Sequence, residues 1–176
     1  MPRNITISSK AATGSTTLAR SLSEKLGWQL ILGGELVRQH VKQNGIPLEK
    51  TGQTSDQFHL DLDNLIKDKL QKGNHLVIES WLAGYDAQGI PDVYKILLVC
   101  PDDAVRIDRL VNRDRMTIEE AKYHLQTREE ENIKKWEKLY LTKDFWNPKL
   151  YDLVIDTYAN GPTETQEIAM KAIRGL

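Results

Sequence analysis

Ile5-Thr6-Ile7-Ser8-Ser9-Lys10-Ala11-Ala12-Thr13-Gly14-Ser15-Thr16-Thr17 governs how the rest of the chain is read. A β-branched run passes into a turn of small residues, and the helical pattern Leu18-Ala19-Arg20-Ser21-Leu22 follows. Strand, small-residue turn and a helix opening on two threonines is the layout of a phosphate-binding loop. Successive backbone N–H groups and a helix N-terminus face an anion there, and a hydroxyl can reach Mg²⁺. Against G-x-x-x-x-G-K-[ST], Gly14 and Thr16 match, whereas Ser9 takes the place of the first glycine and Ser15 that of the lysine. On these residues alone, an ordinary βα turn stands beside the phosphate loop as an equal reading. Lys10 is the only cation within the loop, either reaching phosphates from the other side of the cradle or solvated at its rim.

Outward from that stretch the chain alternates. Strand-like runs occur at Ile5–Ser8, Gln29–Leu32, Leu76–Ile78, Ile96–Val99 and Asp152–Ile155, each followed by a helical pattern. Three of them are nearly continuous aliphatic stretches, as suits parallel strands buried on both faces. Phe58, Leu62, Leu65, Ile66 and Leu70 fall on one stripe of a helix. Thr117-Ile118-Glu119-Glu120 reads as a capping box, and Pro162 with Thr163 and Gln166 as the opening of the last helix. Strands alternating with helices predict an α/β fold, a five-stranded parallel sheet with helices on both faces. In such sheets ligands bind at the carboxyl ends of strands.

Composition narrows the function. The chain has 176 residues, with 24 Lys+Arg against 25 Asp+Glu and a net charge of −1, which suits one domain and sets aside a general nucleic-acid binder. Its longest strongly apolar run, Ile96 to Cys100, falls far short of the ~20 residues of a membrane span. Met1-Pro2-Arg3-Asn4 leads straight into the first run without a signal-peptide pattern, so a soluble, cytoplasmic protein is expected, without membrane or nucleic-acid partners. The single cysteine, Cys100, allows no internal disulfide, and His40, His59, His75 and His124 have no ligand-like spacing for zinc.

At this point the chain resembles the small cytidylate kinases of the archaeal type, within the P-loop nucleoside monophosphate kinases. Besides the first strand and loop, the resemblance rests on Glu24-Lys25-Leu26-Gly27, Gly33-Gly34-Glu35-Leu36-Val37-Arg38 and Val77-Ile78-Glu79-Ser80 before Leu82-Ala83-Gly84. It continues through Val105-Arg106, Arg109 and Arg113, Ile118-Glu119-Glu120-Ala121, Arg128-Glu129-Glu130 and Tyr151-Asp152-Leu153-Val154-Ile155-Asp156-Thr157. The order and spacing of these segments, over nearly the whole chain, carry the likeness. Members of that group can lack the loop lysine, which accommodates Ser15. Ser9 in place of a glycine, and Trp81 where the family leads one to expect an arginine, are departures.

The resemblance implies a P-loop-type single domain over 1–176 with two helical excursions, one for the nucleoside monophosphate at about 35–72 and a lid over ATP at about 105–140. It implies transfer of the γ-phosphoryl group from Mg·ATP to a nucleoside monophosphate, CMP or dCMP, directly and in line. Ser9, Lys10, Ala11, Ala12, Thr13, Gly14, Ser15, Thr16 and Thr17 would hold the ATP phosphates, with Lys10, Arg109, Arg113 and Arg128 in catalysis. Arginine suits that work because it stays charged and grips phosphate oxygens with a planar fork. Arg106, Arg109 and Arg113 share one helical face. Gly33, Gly34, Arg38, Ser80 and Trp81 would bind the monophosphate, while Thr16 and Glu79 would hold Mg²⁺, Thr16 otherwise capping the first helix. Asp56, Gln57 and Asp63 are candidates for reading the base, with no spacing rule to choose among them. A monomer is expected. The missing glycine, lysine and arginine keep two alternatives open: a nucleotide-binding protein of this fold with impaired turnover, and a kinase for another small acceptor.

Overall fold

Every residue of β1 (Asn4–Ser9) is buried, and this strand forms the centre of the sheet. The computed structural model describes residues 1–175. Its five strands run parallel in the order β2-β3-β1-β4-β5, with β2 at Gln29–Leu32, β3 at Leu76–Glu79, β4 at Val93–Val99 and β5 at Leu153–Asp156. The predicted runs are thus all strands. The fourth begins earlier than its aliphatic stretch because Val93, Tyr94 and Lys95 pair with Asn4, Ile5 and Thr6 of β1.

Helices α1 (Ser15–Leu26) and α7 (Pro162–Arg174) cover one face, where Leu18, Leu22, Ala169 and Ile173 pack on Ile5, Ile7, Ile96 and Leu98. On the other face Ile66 and Leu70 of α3 (Asp56–Lys72) and Ala83 of α4 (Ala83–Asp86) pack on Leu76 and Ile78. Fully burying one such aliphatic side chain contributes about 1.5–3 kcal/mol, so these two layers supply much of the force that closes the sheet.

Between β2 and β3 the chain runs out through α2 (Gly33–Gln43), a 3-10 turn at Leu48–Gln53 and α3; between β4 and β5 it runs through α5 (Asp103–Asp114) and the 23-residue α6 (Ile118–Tyr140). The capping box opens α6, with Thr117 accepting from the Glu120 N–H and the Glu120 carboxylate accepting in return. Two local expectations need correction. In α7 the N-cap is Gly161, so Thr163 and Gln166 form no capping box; the Gln166 amide oxygen instead accepts from Ser21 Oγ at 2.7 Å and ties α7 to α1. In α3 Leu65 is 42 % exposed, and the buried stripe is His59, Asp63, Ile66 and Leu70. The stripe turns polar in its first half because that half faces Trp136 and Tyr140 of α6, which hydrogen-bond His59 and Asp63.

Candidate active site

The register Ile7↔Glu79 aligns the carboxyl ends of β1 and β3, and the loop of interest leaves β1 there. Between Ser9 and Ser15 the chain turns through Ala12 (φ 59°) and Gly14 (φ 93°). The backbone at Gly14 lies in the left-handed region, where a side chain would be strained. Thr13 Oγ1 and Ser9 Oγ both donate to the Lys10 carbonyl, at 3.1 and 2.9 Å, which holds the turn tight. Gly14 is the N-cap of α1 and no side chain caps it, so Thr16 does not have the capping role that was its structural alternative. The first N–H groups of α1 are left for an anion.

A cavity of about 860 Å³ opens over this helix start, within the range that small-molecule sites occupy. Ala12 to Leu18, Arg38 of α2 and Arg109, Asn112 and Arg113 of α5 line it, and the segment Thr157–Pro162 after β5 closes the far side. Arg109 donates to the Ala12 carbonyl at 3.2 Å, to Thr157 Oγ1 at 3.1 Å and to the Thr157 carbonyl at 2.6 Å. Thr157 Oγ1 donates in turn to the Thr13 carbonyl at 2.8 Å. Arg109 and Thr157 therefore staple the loop to the end of β5. Arg113, more exposed, pairs with Asp114 at 2.6 Å. Arg106 shares their face but is buried, bound to the Ala11 carbonyl, Asp103 and Glu129, and acts as a brace beneath the loop.

Three loop side chains do not line that cavity. Ser9 is buried at the strand end, and Ala11 is buried against Leu110 and Leu125. Lys10 turns to the opposite side, its ammonium 3.9 Å from Glu129 Oε2 and 5.5 Å from the centre of the Trp146 ring. Burial, then Arg106, lowers its pKa. Ser15 lines the cavity, but its hydroxyl is spent on Glu79 Oε1 at 2.7 Å, leaving its N–H for a ligand. Glu79 is buried; desolvation raises its pKa, while Ser15, Arg38 and Arg128 draw it back down.

A second, smaller cavity of about 40 Å³ lies beyond Glu79, lined by Gly33, Gly34, Ser80, Trp81 and Arg128 together with His59 and Asp63 of α3 and Asn132 and Trp136 of α6. A Cβ at Gly33 would come within 2.8 Å of Ser80 Cβ, so only glycine lets the ends of β2 and β3 approach this closely. Trp81 sits edge-on to Trp136 and Trp146, at 5.4 and 6.3 Å between ring centres, and its face carries the Arg128 guanidinium 5.2 Å from the centroid. Trp81 therefore packs and supports a cation. Arg128 is buried, its Nε has no hydrogen-bond partner among the described residues, and its pKa is pushed down to about 10 by burial first, then by Arg38 and Arg113. It remains charged at neutral pH, and a buried charge without a protein partner is suited to an anionic ligand.

Glu79, bonded to Ser15 of the large cavity, is acted on by the charges of Arg38, which lines the large cavity, and Arg128, which lines the small one, and Arg113 of the large cavity acts on Arg128 in turn. Thr16 on the first turn of α1 and the Glu79 carboxylate offer hard oxygens of the kind that would hold Mg²⁺. Of the sequence-predicted residues, the structure brings Ala12 to Thr17, Arg38, Arg109 and Arg113 to the large cavity and Gly33, Gly34, Ser80, Trp81 and Arg128 to the small one. Thr157, Asn132 and His59 were not singled out as site residues. Thr157 directly follows β5, so the rule that ligands gather at carboxyl strand ends would have reached it. Asn132 and His59 carry no comparable signal. Among the described residues no helix is long and apolar enough to cross a membrane.

The profile of the cytidylate kinase-like family matches residues 4–159. The chain is 35% identical over 176 residues to the cytidylate kinase of Pyrococcus furiosus, covering 98% of this chain and 88% of that protein. To the cytidylate kinase of Methanothrix thermoacetophila it is 34% identical over 175 residues, covering 98% of each, and to that of Haloarcula marismortui 33% over 172 residues, covering 96% and 88%. Among solved structures, a gluconokinase from Sinorhizobium meliloti aligns with a TM-score of 0.66 at 17% identity, over 98% of this chain and 92% of that one. A shikimate kinase from Acinetobacter baumannii aligns with a TM-score of 0.61 at 13% identity, over 99% and 94%. At these identities the structures share the fold.

Proposed function

The chain belongs to the cytidylate kinase-like family, and from that premise we propose that it transfers the γ-phosphoryl group of ATP, held with Mg²⁺, directly to CMP or dCMP. The observation that carries this reading is the group of Glu79, bonded to Ser15 at the helix start, with Arg38 and Arg113 from the large cavity and Arg128 from the small one around it. Phosphoryl transfer asks a protein chiefly to align two phosphates and to neutralise the charge spread over the transferring oxygens.

In this reading the N–H groups of Ala12 to Thr17 cradle the ATP phosphates, and Arg109 keeps that cradle in shape through Ala12 and Thr157. Thr16 and, through water, Glu79 would hold Mg²⁺, whose charge supports the β- and γ-phosphate oxygens when bound. Arg38 and Arg128 grip the acceptor phosphate between Gly34 and Ser80, and Arg113 approaches from α5. The acceptor phosphate oxygen attacks the γ-phosphorus as the bond to the β-phosphate oxygen breaks, so ADP and CDP leave with no enzyme-bound phosphate between them. The segment 35–72 closes on the acceptor and 105–140 on ATP. Asn132 donates to Thr51 Oγ1 at 2.7 Å and Gln53 to Glu131 Oε1 at 3.1 Å, and these bonds join the two segments together with those of Trp136 to His59 and Tyr140 to Asp63. Closure excludes the water that would otherwise take the phosphoryl group.

Release of ADP by purified protein with Mg·ATP and each of CMP, dCMP, UMP, AMP and GMP tests the proposal. Preferential formation of CDP or dCDP supports it, and absence of any diphosphate overturns it. Trp81 and the small size of the second cavity favour one other reading, a kinase for a different small acceptor, which would show as ADP release only with a compound outside this panel.

A further inference from the structure

Of His59, Asp63, Asn132 and Trp136, which line the small cavity, the polar atoms are nearly all committed, and those that remain are hydrogen-bond acceptors. Trp136 Nε1 donates to His59 Nδ1 at 3.2 Å, so His59 carries its proton on Nε2, which lies 2.8 Å from Thr54 Oγ1. Thr54 Oγ1 donates onward to the Thr51 carbonyl at 2.7 Å, and both imidazole nitrogens are thereby used. Asn132 spends both amide hydrogens, on Thr51 Oγ1 and on the Arg128 carbonyl, each at 2.7 Å, which leaves its Oδ1. Tyr140 donates its hydroxyl to Asp63 Oδ2, which leaves Oδ1. Behind Asp63 lies Asp86, whose side chain is wholly buried with Lys67 Nζ 3.4 Å away. Burial first, then Asp63, pushes the Asp86 pKa up to about 8; burial raises that of Asp63 as well, while the Tyr140 hydroxyl and the Lys67 charge draw it back down.

We infer that Asp63 and Asn132 read the exocyclic amino group of the acceptor base, which makes this end of the cavity selective for cytosine over uracil. The inference rests on the monophosphate-kinase reading. A 4-amino group offers two N–H donors to two carbonyl-type oxygens. Uracil presents a carbonyl oxygen at the same position, which would face both acceptors with no hydrogen between them, and buried groups left unpaired in this way discriminate strongly. Leu62, Trp81 and Trp136 give the ring apolar walls. The unliganded cavity, about 40 Å³, has room for the amino-bearing edge. Of the other two candidates for reading the base, Asp56 is paired with Lys135 and Lys138 and Gln57 with Asp61.

Calorimetric binding of CMP, UMP and 2-pyrimidinone riboside monophosphate (CMP lacking only its amino group), without ATP, tests this on the wild-type chain. CMP is expected to bind at least about tenfold tighter than either of the others. Asp63→Asn keeps an oxygen for Tyr140 and places an amide N–H₂ toward the base, so the CMP-to-UMP preference is expected to fall by about tenfold or more. Equal binding of the three ligands to wild type, or an unchanged preference in folded Asp63→Asn, overturns the inference. If that variant does not fold, the three-ligand comparison decides alone. Failure of the kinase reading looks different: selective binding of CMP with no diphosphate product.

Discussion

A buried guanidinium with no carboxylate in ion-pair range costs folding free energy, and among the described residues Arg128 is kept in that condition on the face of Trp81. An unmade hydrogen bond of a buried polar group costs about 1–3 kcal/mol, more when charged. Arg128→Met is therefore expected to leave the melting temperature unchanged or raise it. The same change is expected to lower kcat/KM by roughly a hundredfold or more, the scale of losing a donor aimed at developing charge. A variant that melts early yet keeps its activity would contradict that assignment. Lys10 is the opposite case: its partial exposure and its contacts with Glu129 and Trp146 place it outside the phosphate cradle. Surface pairs of this sort contribute about 0–1 kcal/mol, so Lys10→Ala should hold ATP binding and turnover within about twofold, measured by titration and steady-state kinetics. A loss of tenfold or more would return Lys10 to the phosphates.

Among the elements, α6 does the most to bring the two excursions together. Asn132, Lys135 and Trp136 reach across to Thr51, Thr54 and His59, so the 3-10 turn and the start of α3 are held through one helix. His59 is neutral in the fold, its pKa lowered to about 4 by burial first and by Lys135 next. The unfolded chain takes up a proton near pH 6.5 that the folded chain refuses until about pH 4, so His59 lowers stability as pH falls through that window. The full difference is about 3 kcal/mol. Denaturant titrations at pH 7 and 4.5 should show His59→Gln losing less stability than wild type over this interval; equal losses would mean that His59 is not the group responsible. Asp86 works in the other direction. Its raised pKa gives stability that is present below about pH 4 and lost as pH rises toward about 8, so Asp86→Asn should gain on wild type between pH 5 and 8. Melting curves at the two pH values check this, and parallel curves would exclude it.

Over the whole molecule, the parts readable from the chain were those with local causes. Aliphatic runs marked all five strands, and the capping box at Thr117 marked the start of α6. The contact of Ser15 with Glu79 was not readable in the same way. Ser15 and Glu79 are 64 positions apart and meet because of the register between β1 and β3, which no spacing within either segment dictates. Lys10 is directed by Glu129 and Trp146, more than a hundred residues further on, and the polar stripe of α3 is set by its partners on α6. The arginines of α5 could be placed on one face from spacing, but only their contacts separate Arg106, a brace, from Arg109 and Arg113, which line the large cavity. On the proposed reading, Ser15, Glu79 and the arginines around them serve the transfer of a phosphoryl group between two nucleotides in spite of the altered loop. Incubating the purified protein with Mg²⁺, CMP and ATP labelled in its γ-phosphoryl group, and resolving the products, tests that claim most directly. Label is expected in the β-phosphate of CDP, whereas label that stays in ATP or appears only as inorganic phosphate would rule the transfer out.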